Sequence, residues 1–200
     1  YTVTDTLPSQ ACYTANAHAL ARYAALCQEH DIVPIVEPEV LMDGDHDLTR
    51  SFEVTQHAQQ TVFAALADQA VDLRGIVLKP SMVISGAGAA DRAGIKEVAQ
   101  QTLRCLLSTV PAAVPGIAFL SGGQSDEEAT QHLNTMNEIG GSLPWAVTFS
   151  YGRALQAAAM KRWAGHSDNV ESARQVAFHR AQMNGAAALG QYSSEMEKAA

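Results

Sequence analysis

Apolar residues along the chain follow two periods that alternate. Over residues 9 to 29, Cys12, Leu20, Tyr23, Ala24 and Cys27 recur at helical spacing in an alanine-rich stretch. Residues 49 to 69 read the same way, and residues 93 to 109 repeat the spacing at Ile95, Val98, Thr102, Leu103 and Leu106. Two more helices are predicted over 153–164 and 170–190. Between them run short, nearly continuous apolar segments: Ile32–Val36, GIVLK (75–79), GIAFLS (116–121) and PWAVTFS (144–150). These predict four strands, the first with Pro34 tolerated near its start. After the third, Ser125 and Glu128 have the S-x-x-E spacing of a capping box and predict a helix start.

Strands that alternate with helices imply βαβ units, and continuous apolar runs imply parallel strands buried on both faces. The fold class is therefore α/β. Two architectures fit: an open, doubly wound sheet, or a (β/α)8 barrel, which usually takes about 250 residues. Four strands in 200 residues do not close such a barrel. The barrel reading needs the other strands from elsewhere, and the chain begins at Tyr1 rather than Met, so an upstream segment is expected. No linker or low-complexity tract divides the sequence, so residues 1–200 read as a single domain. GAGAADRAG (86–94) reads as a flexible loop after the second strand.

Charge narrows the function. The formal net charge is −8, with no run of Lys or Arg, so no nucleic-acid partner is expected. No apolar run is long enough to span a membrane, and no signal peptide is evident, so no membrane partner is expected either. Cys12, Cys27 and Cys105 are sparse, odd in number and without CxxC spacing, which reads as reduced thiols and a cytoplasmic location.

Each strand ends in polar chemistry: Glu37 and Glu39; Lys79; Ser121-Gly122-Gly123; Ser150-Tyr151-Gly152-Arg153. Side chains at the C-terminal ends of parallel strands share one rim, where α/β folds keep their ligands. Lys79 reads in two ways. It is a lysine snorkelling from a core strand to water, or an amine whose pKa is lowered by apolar surroundings and which attacks a carbonyl to form a Schiff base. Glu37 and Glu39 flank Pro38. On an extended segment they would point the same way, as a water-facing pair or as mutually repelling carboxylates, one of them kept protonated for acid–base work. The glycines and Arg153 suit an anion: backbone N–H groups and a guanidinium fork can surround a phosphate. Asp43, Asp45 and Asp47 open like a calcium loop, but Leu48 and Val54 occupy its glycine and glutamate positions. An acidic turn and helix cap is expected there, with no metal site.

Taken together, IVPIVEPEVLMDGDHDL, GIVLKPSMV, FLSGGQSDEEA, LN.MN and PWAVTFSYGRALQ resemble class I fructose-bisphosphate aldolase, the metal-independent, Schiff-base type. The resemblance runs from about residue 8 to residue 165 and more loosely through the last helix. It implies a (β/α)8 TIM barrel of which this chain holds the second half, strands five to eight. It places the Schiff-base lysine at Lys79 and the acid–base glutamate at Glu37, with Glu39 beside it. The substrate phosphate falls to Ser121, Gly122, Gly123, Ser150, Gly152 and Arg153. It further implies a lyase of glycolysis with a sugar-phosphate substrate, no cofactor beyond the lysine imine, and a homo-oligomer. A Schiff-base aldolase for another ketose phosphate, or an inactive fragment that keeps only phosphate binding, stands as the alternative.

Overall fold

The computed structural model describes residues 1–199; Ala200, the last residue of the expected 1–200 domain, lies outside the described residues. Six α-helices and four strands follow one another: α1 Gln10–Glu29, β1 Ile35–Val36, α2 Leu48–Asp68, β2 Val77–Leu78, α3 Ile95–Thr109, β3 Gly116–Phe119, α4 Asp126–Ile139, β4 Ala146–Phe149, α5 Arg153–Trp163 and α6 Val170–Ala188. A last 3₁₀ turn spans Ser194–Ala199. Helix starts are set by local chemistry. The side chains of Ser9, Asp47 and Ser125 accept from the backbone N–H groups of Cys12, Arg50 and Glu128. The capping box at Ser125 is half made, because the Glu128 carboxylate pairs with Arg92 at 2.9 Å.

The strands form one parallel sheet in the order β1-β2-β3-β4. This order decides between the two architectures. A doubly wound sheet reverses its strand order at a switch point, and this one does not. Successive right-handed crossovers in one direction put every helix on the same face, as in a barrel wall.

Burial follows that geometry. Val36, Leu78, Ile117, Phe119 and Val147 face the helices and are buried. Their alternates do not share this burial: Ile35 is 47% exposed, and Val77, Ala118 and Thr148 are half-buried. The expectation of strands buried on both faces is therefore corrected. Apolar runs suit a barrel wall, whose second face packs into the barrel interior, and four strands leave that interior open. The strands are also shorter than expected. Ile32 and Val33 lie outside β1 and are exposed.

Candidate active site at the strand ends

β1 and β2 present Glu37 and Lys79 on the same face. Ile35 and Val77 are register partners on the open face, and the residues two further along are Glu37 and Lys79. The ladder continues past the strands, with Lys79 N–H donating to Val36 O at 2.8 Å. Lys79 Nζ lies 2.9 Å from Glu37 Oε1, with side-chain exposures of 21% and 40%. The lysine setting is thus a half-open ion pair at the rim, not the wholly apolar one suggested by GIVLKP.

Glu39 departs from the extended geometry expected of VEPE. Its N–H donates to Glu37 O at 3.1 Å, closing a tight turn around Pro38. Period-two parity therefore lapses between the two glutamates. Among the described residues only Glu37 forms an ion pair with Lys79.

The segment after Lys79 is fastened by buried hydroxyls. Ser81 Oγ accepts from Val40 N–H at 2.9 Å, Thr102 Oγ1 from Val83 N–H at 3.0 Å, and Ser51 Oγ from Ile84 N–H at 3.1 Å. Further on, Gly86, Ala87 and Gly88 donate their N–H groups to His46 O, Met42 O and Gly44 O at 2.7–2.8 Å. A Cβ at Gly86 would sit 2.4 Å from Gly44 O, so only glycine allows this approach. The loop expected to be flexible is instead zipped to the acidic turn 43–47. That turn caps α2 through Asp47 and clasps its neighbour. Among the described residues no three His, Cys, Asp or Glu side chains gather as a metal would require. Ser81, Ser51 and Thr102 were missed as supports. Ser81 stands between Pro80 and Met82, and Ser51 and Thr102 fall where the helical period calls for an apolar residue, which is their only mark in the sequence.

At β3, Ser121-Gly122-Gly123-Gln124 is a turn closed by Gln124 N–H donating to Ser121 O at 3.0 Å. Gly122 and Gly123 have φ of +55° and +92°, which side-chain-bearing residues adopt only under strain. At β4, Ser150 N–H donates to Phe119 O at 2.8 Å, which holds Ser150 level with the end of β3. Arg153 begins α5 behind Gly152, and a Cβ at Gly123 would lie 4.0 Å from Arg153 Nη2. The structure thus brings the glycine turn and the guanidinium together. At Gly152 φ is −89° and a Cβ would meet nothing within 4 Å, so neither φ nor packing there demands glycine. Leu120 N–H donates to Pro80 O at 3.1 Å, tying this region to the lysine strand. Tyr151 between them is buried, and its hydroxyl donates to Ala129 O at 2.8 Å. Ser121, Gly122, Gly123, Ser150 and Arg153 therefore occupy the adjoining ends of β3 and β4, next to the β1 and β2 ends that carry Glu37 and Lys79.

The arrangement offers an amine within proton-transfer distance of a carboxylate, and beside it a glycine turn, a helix start and a guanidinium able to hold an anion. The chain resembles known proteins along almost its whole length. A probable class 1 fructose-bisphosphate aldolase of Xanthomonas campestris pv. campestris is 55% identical over 189 residues, covering 94% of this chain and 56% of its own length. Fructose-bisphosphate aldolase B of Gallus gallus is 52% identical over 190 residues, covering 95% of this chain and 52% of its own. A crystal structure of fructose-bisphosphate aldolase from Plasmodium falciparum, in complex with TRAP and a small-molecule inhibitor, superposes with a TM-score of 0.94 at 44% identity. It covers 96% of this chain and 56% of the other. The chain spans about half the length of the curated relatives it matches. The sequence profile of class-I fructose-bisphosphate aldolase matches residues 1–200, and the chain belongs to that family.

Proposed function

We propose that this chain supplies the imine-forming and phosphate-holding half of a class I fructose-bisphosphate aldolase site, for the reversible cleavage of fructose 1,6-bisphosphate to dihydroxyacetone phosphate and glyceraldehyde 3-phosphate. The observation that carries the reading is the 2.9 Å pair of Lys79 Nζ and Glu37 Oε1. A proton passing from ammonium to carboxylate leaves a neutral amine and a carboxylic acid. The amine attacks the ketone carbon. The carboxylic acid then protonates the carbinolamine hydroxyl, which departs as water and leaves a protonated imine on Lys79. That imine takes up the electron pair of the breaking C3–C4 bond while the C4 hydroxyl gives its proton to the Glu37 carboxylate and the aldehyde departs. The resulting enamine is protonated, and hydrolysis returns the amine. Ser121, Gly122, Gly123, Ser150, Gly152 and Arg153 would hold the ketone's phosphate and so fix its carbonyl over Lys79, with Glu39 adding negative charge nearby. Positioning of this kind can remove several kcal/mol from a barrier.

The test is borohydride reduction of the chain mixed with dihydroxyacetone phosphate, followed by peptide mass spectrometry. We expect the reduced adduct on Lys79 and its loss in Lys79→Met. A folded chain without adduct, or with the adduct on another lysine, would overturn the assignment.

A further inference from the structure

Gln124 closes the glycine turn through its backbone, and its side chain is held from behind. It is 6% exposed. Its Oε1 lies 2.6 Å from His132 Nδ1, and its Nε2 lies 3.7 Å from Met82 Sδ. Met82 is buried and stands three residues after Lys79. One amide therefore joins the phosphate turn to the lysine segment, with an imidazole fixing its orientation. His132 belongs to α4, two turns in from its start, and is 1% exposed. With the amide oxygen as partner, the proton sits on Nδ1, and Nε2 is buried with no hydrogen-bond partner among the described residues. A buried orphan nitrogen costs free energy, so the residue is not explained by packing alone. Arg92, whose charge acts on the imidazole, pairs with Glu128 at 2.9 Å rather than with the ring, while Arg180 reaches the start of α4 at Asp126 O and Thr130 Oγ1.

We infer that His132 is a positioning residue for the phosphate pocket: through Gln124 it holds the Ser121–Gln124 turn in the geometry that presents the Gly122 and Gly123 N–H groups to the ketone phosphate. The inference rests on the site reading proposed above. Burial, with a smaller contribution from the Arg92 charge, lowers the His132 pKa to about 4, so the ring stays neutral and keeps a single proton near neutrality. A neutral donor suits the role, since it orients the amide without bringing a second charge into the core.

The experiment compares trapping of Lys79 by dihydroxyacetone phosphate and by dihydroxyacetone, which lacks the phosphate. His132→Leu removes the donor, and Gln124→Met breaks the same hydrogen bond from the other side. In both variants we expect the dihydroxyacetone phosphate concentration for half-maximal trapping to rise about five- to tenfold, the scale of one hydrogen bond. Trapping by dihydroxyacetone should stay within twofold of the parent. His132→Asn, which retains an N–H near the Nδ1 position, should restore the phosphate preference. Equal losses with both ketones would reveal general damage and overturn the inference, as would an unchanged phosphate preference or a failure of asparagine to rescue. A parent chain that traps both ketones alike would overturn the pocket reading itself and this role with it.

Discussion

At the scale of single residues, the pair Lys79–Glu37 defines what the site can do. The two charges sit at a rim, with more than a third of the Glu37 side chain exposed, so they are not a buried ion pair holding the fold together. Exposed pairs contribute on the order of 1 kcal/mol or less. Their value lies in proton transfer over a short, preset distance. Glu37→Gln keeps the size and a hydrogen bond to Lys79 but can neither take nor return a proton. We expect the rate of borohydride-trappable imine formation to fall about 10²- to 10⁴-fold, while inorganic phosphate binds as in the parent chain. A rate within threefold of the parent would remove Glu37 from proton transfer. The position of Lys79 was legible in GIVLKP, because an apolar run that ends in a charged residue marks a strand exit. Its setting was not, since the partner carboxylate lies 42 residues earlier and only strand register brings it alongside. Glu39 was misplaced for a local reason: proline permits a turn as readily as an extended strand, and here the turn forms.

At the scale of elements, helices were read well and loops poorly. A helix repeats its signal over several turns, and the predicted and observed bounds differ by a residue or two. A loop such as 86–94 is fixed by carbonyls of a distant turn, and nothing in GAGAADRAG names its partner. The end of the chain has the same character. Arg180 on α6, 4% exposed, donates to both oxygens of Glu197 at 2.6 and 2.7 Å, and to Thr130 Oγ1 of α4 at 2.8 Å. His179 Nε2 and the Tyr192 hydroxyl also reach that carboxylate, at 2.9 and 3.0 Å. Burial by itself would raise the Glu197 pKa, but the hydrogen bonds from Arg180, His179 and Tyr192 outweigh it and hold the carboxyl below its usual range. A depressed folded-state pKa means stabilisation that is present above the unfolded value, about 4.3, and lost as pH falls through the folded one. Glu197→Gln should therefore lower stability by about 1.5–3 kcal/mol at pH 7, the worth of hydrogen bonds to a charged group. In urea melts the gap between parent and variant should close as the pH is taken below about 4. A gap that stays constant from neutral to acid pH would exclude this carboxylate as the source.

At the scale of the whole molecule, the consecutive strand order leaves two kinds of surface unsatisfied. β1 and β4 are edge strands, and the face carrying Ile35, Val77 and Thr148 has no covering layer among the described residues. Ile32, Val33 and Ile35 are 58%, 61% and 47% exposed beside one edge. Near the other end, Leu155, Met160, Trp163 and Val170 line a groove of about 550 Å³ between α5 and α6. This much of the architecture was legible from counting: four strands in 200 residues are too few for a barrel, while the residues at their ends already match a barrel's working rim. The missing cover was not legible, because apolar strand faces read alike whether they meet helices or the side chains of other strands. Unpaired edges and bare apolar faces favour association. The 200-residue chain alone should therefore sediment above the mass of one chain, with the excess falling on dilution. Ile35→Lys places an ammonium group on the open face of the edge strand, where it obstructs a second sheet. That variant should shift the distribution toward single chains without changing helical circular dichroism. If the parent chain is monomeric at every concentration, the open face is not sticky, and a four-stranded half can stand alone in water. If Ile35→Lys loses helix as well, Ile35 belongs to the core of the folded chain rather than to an exposed seam.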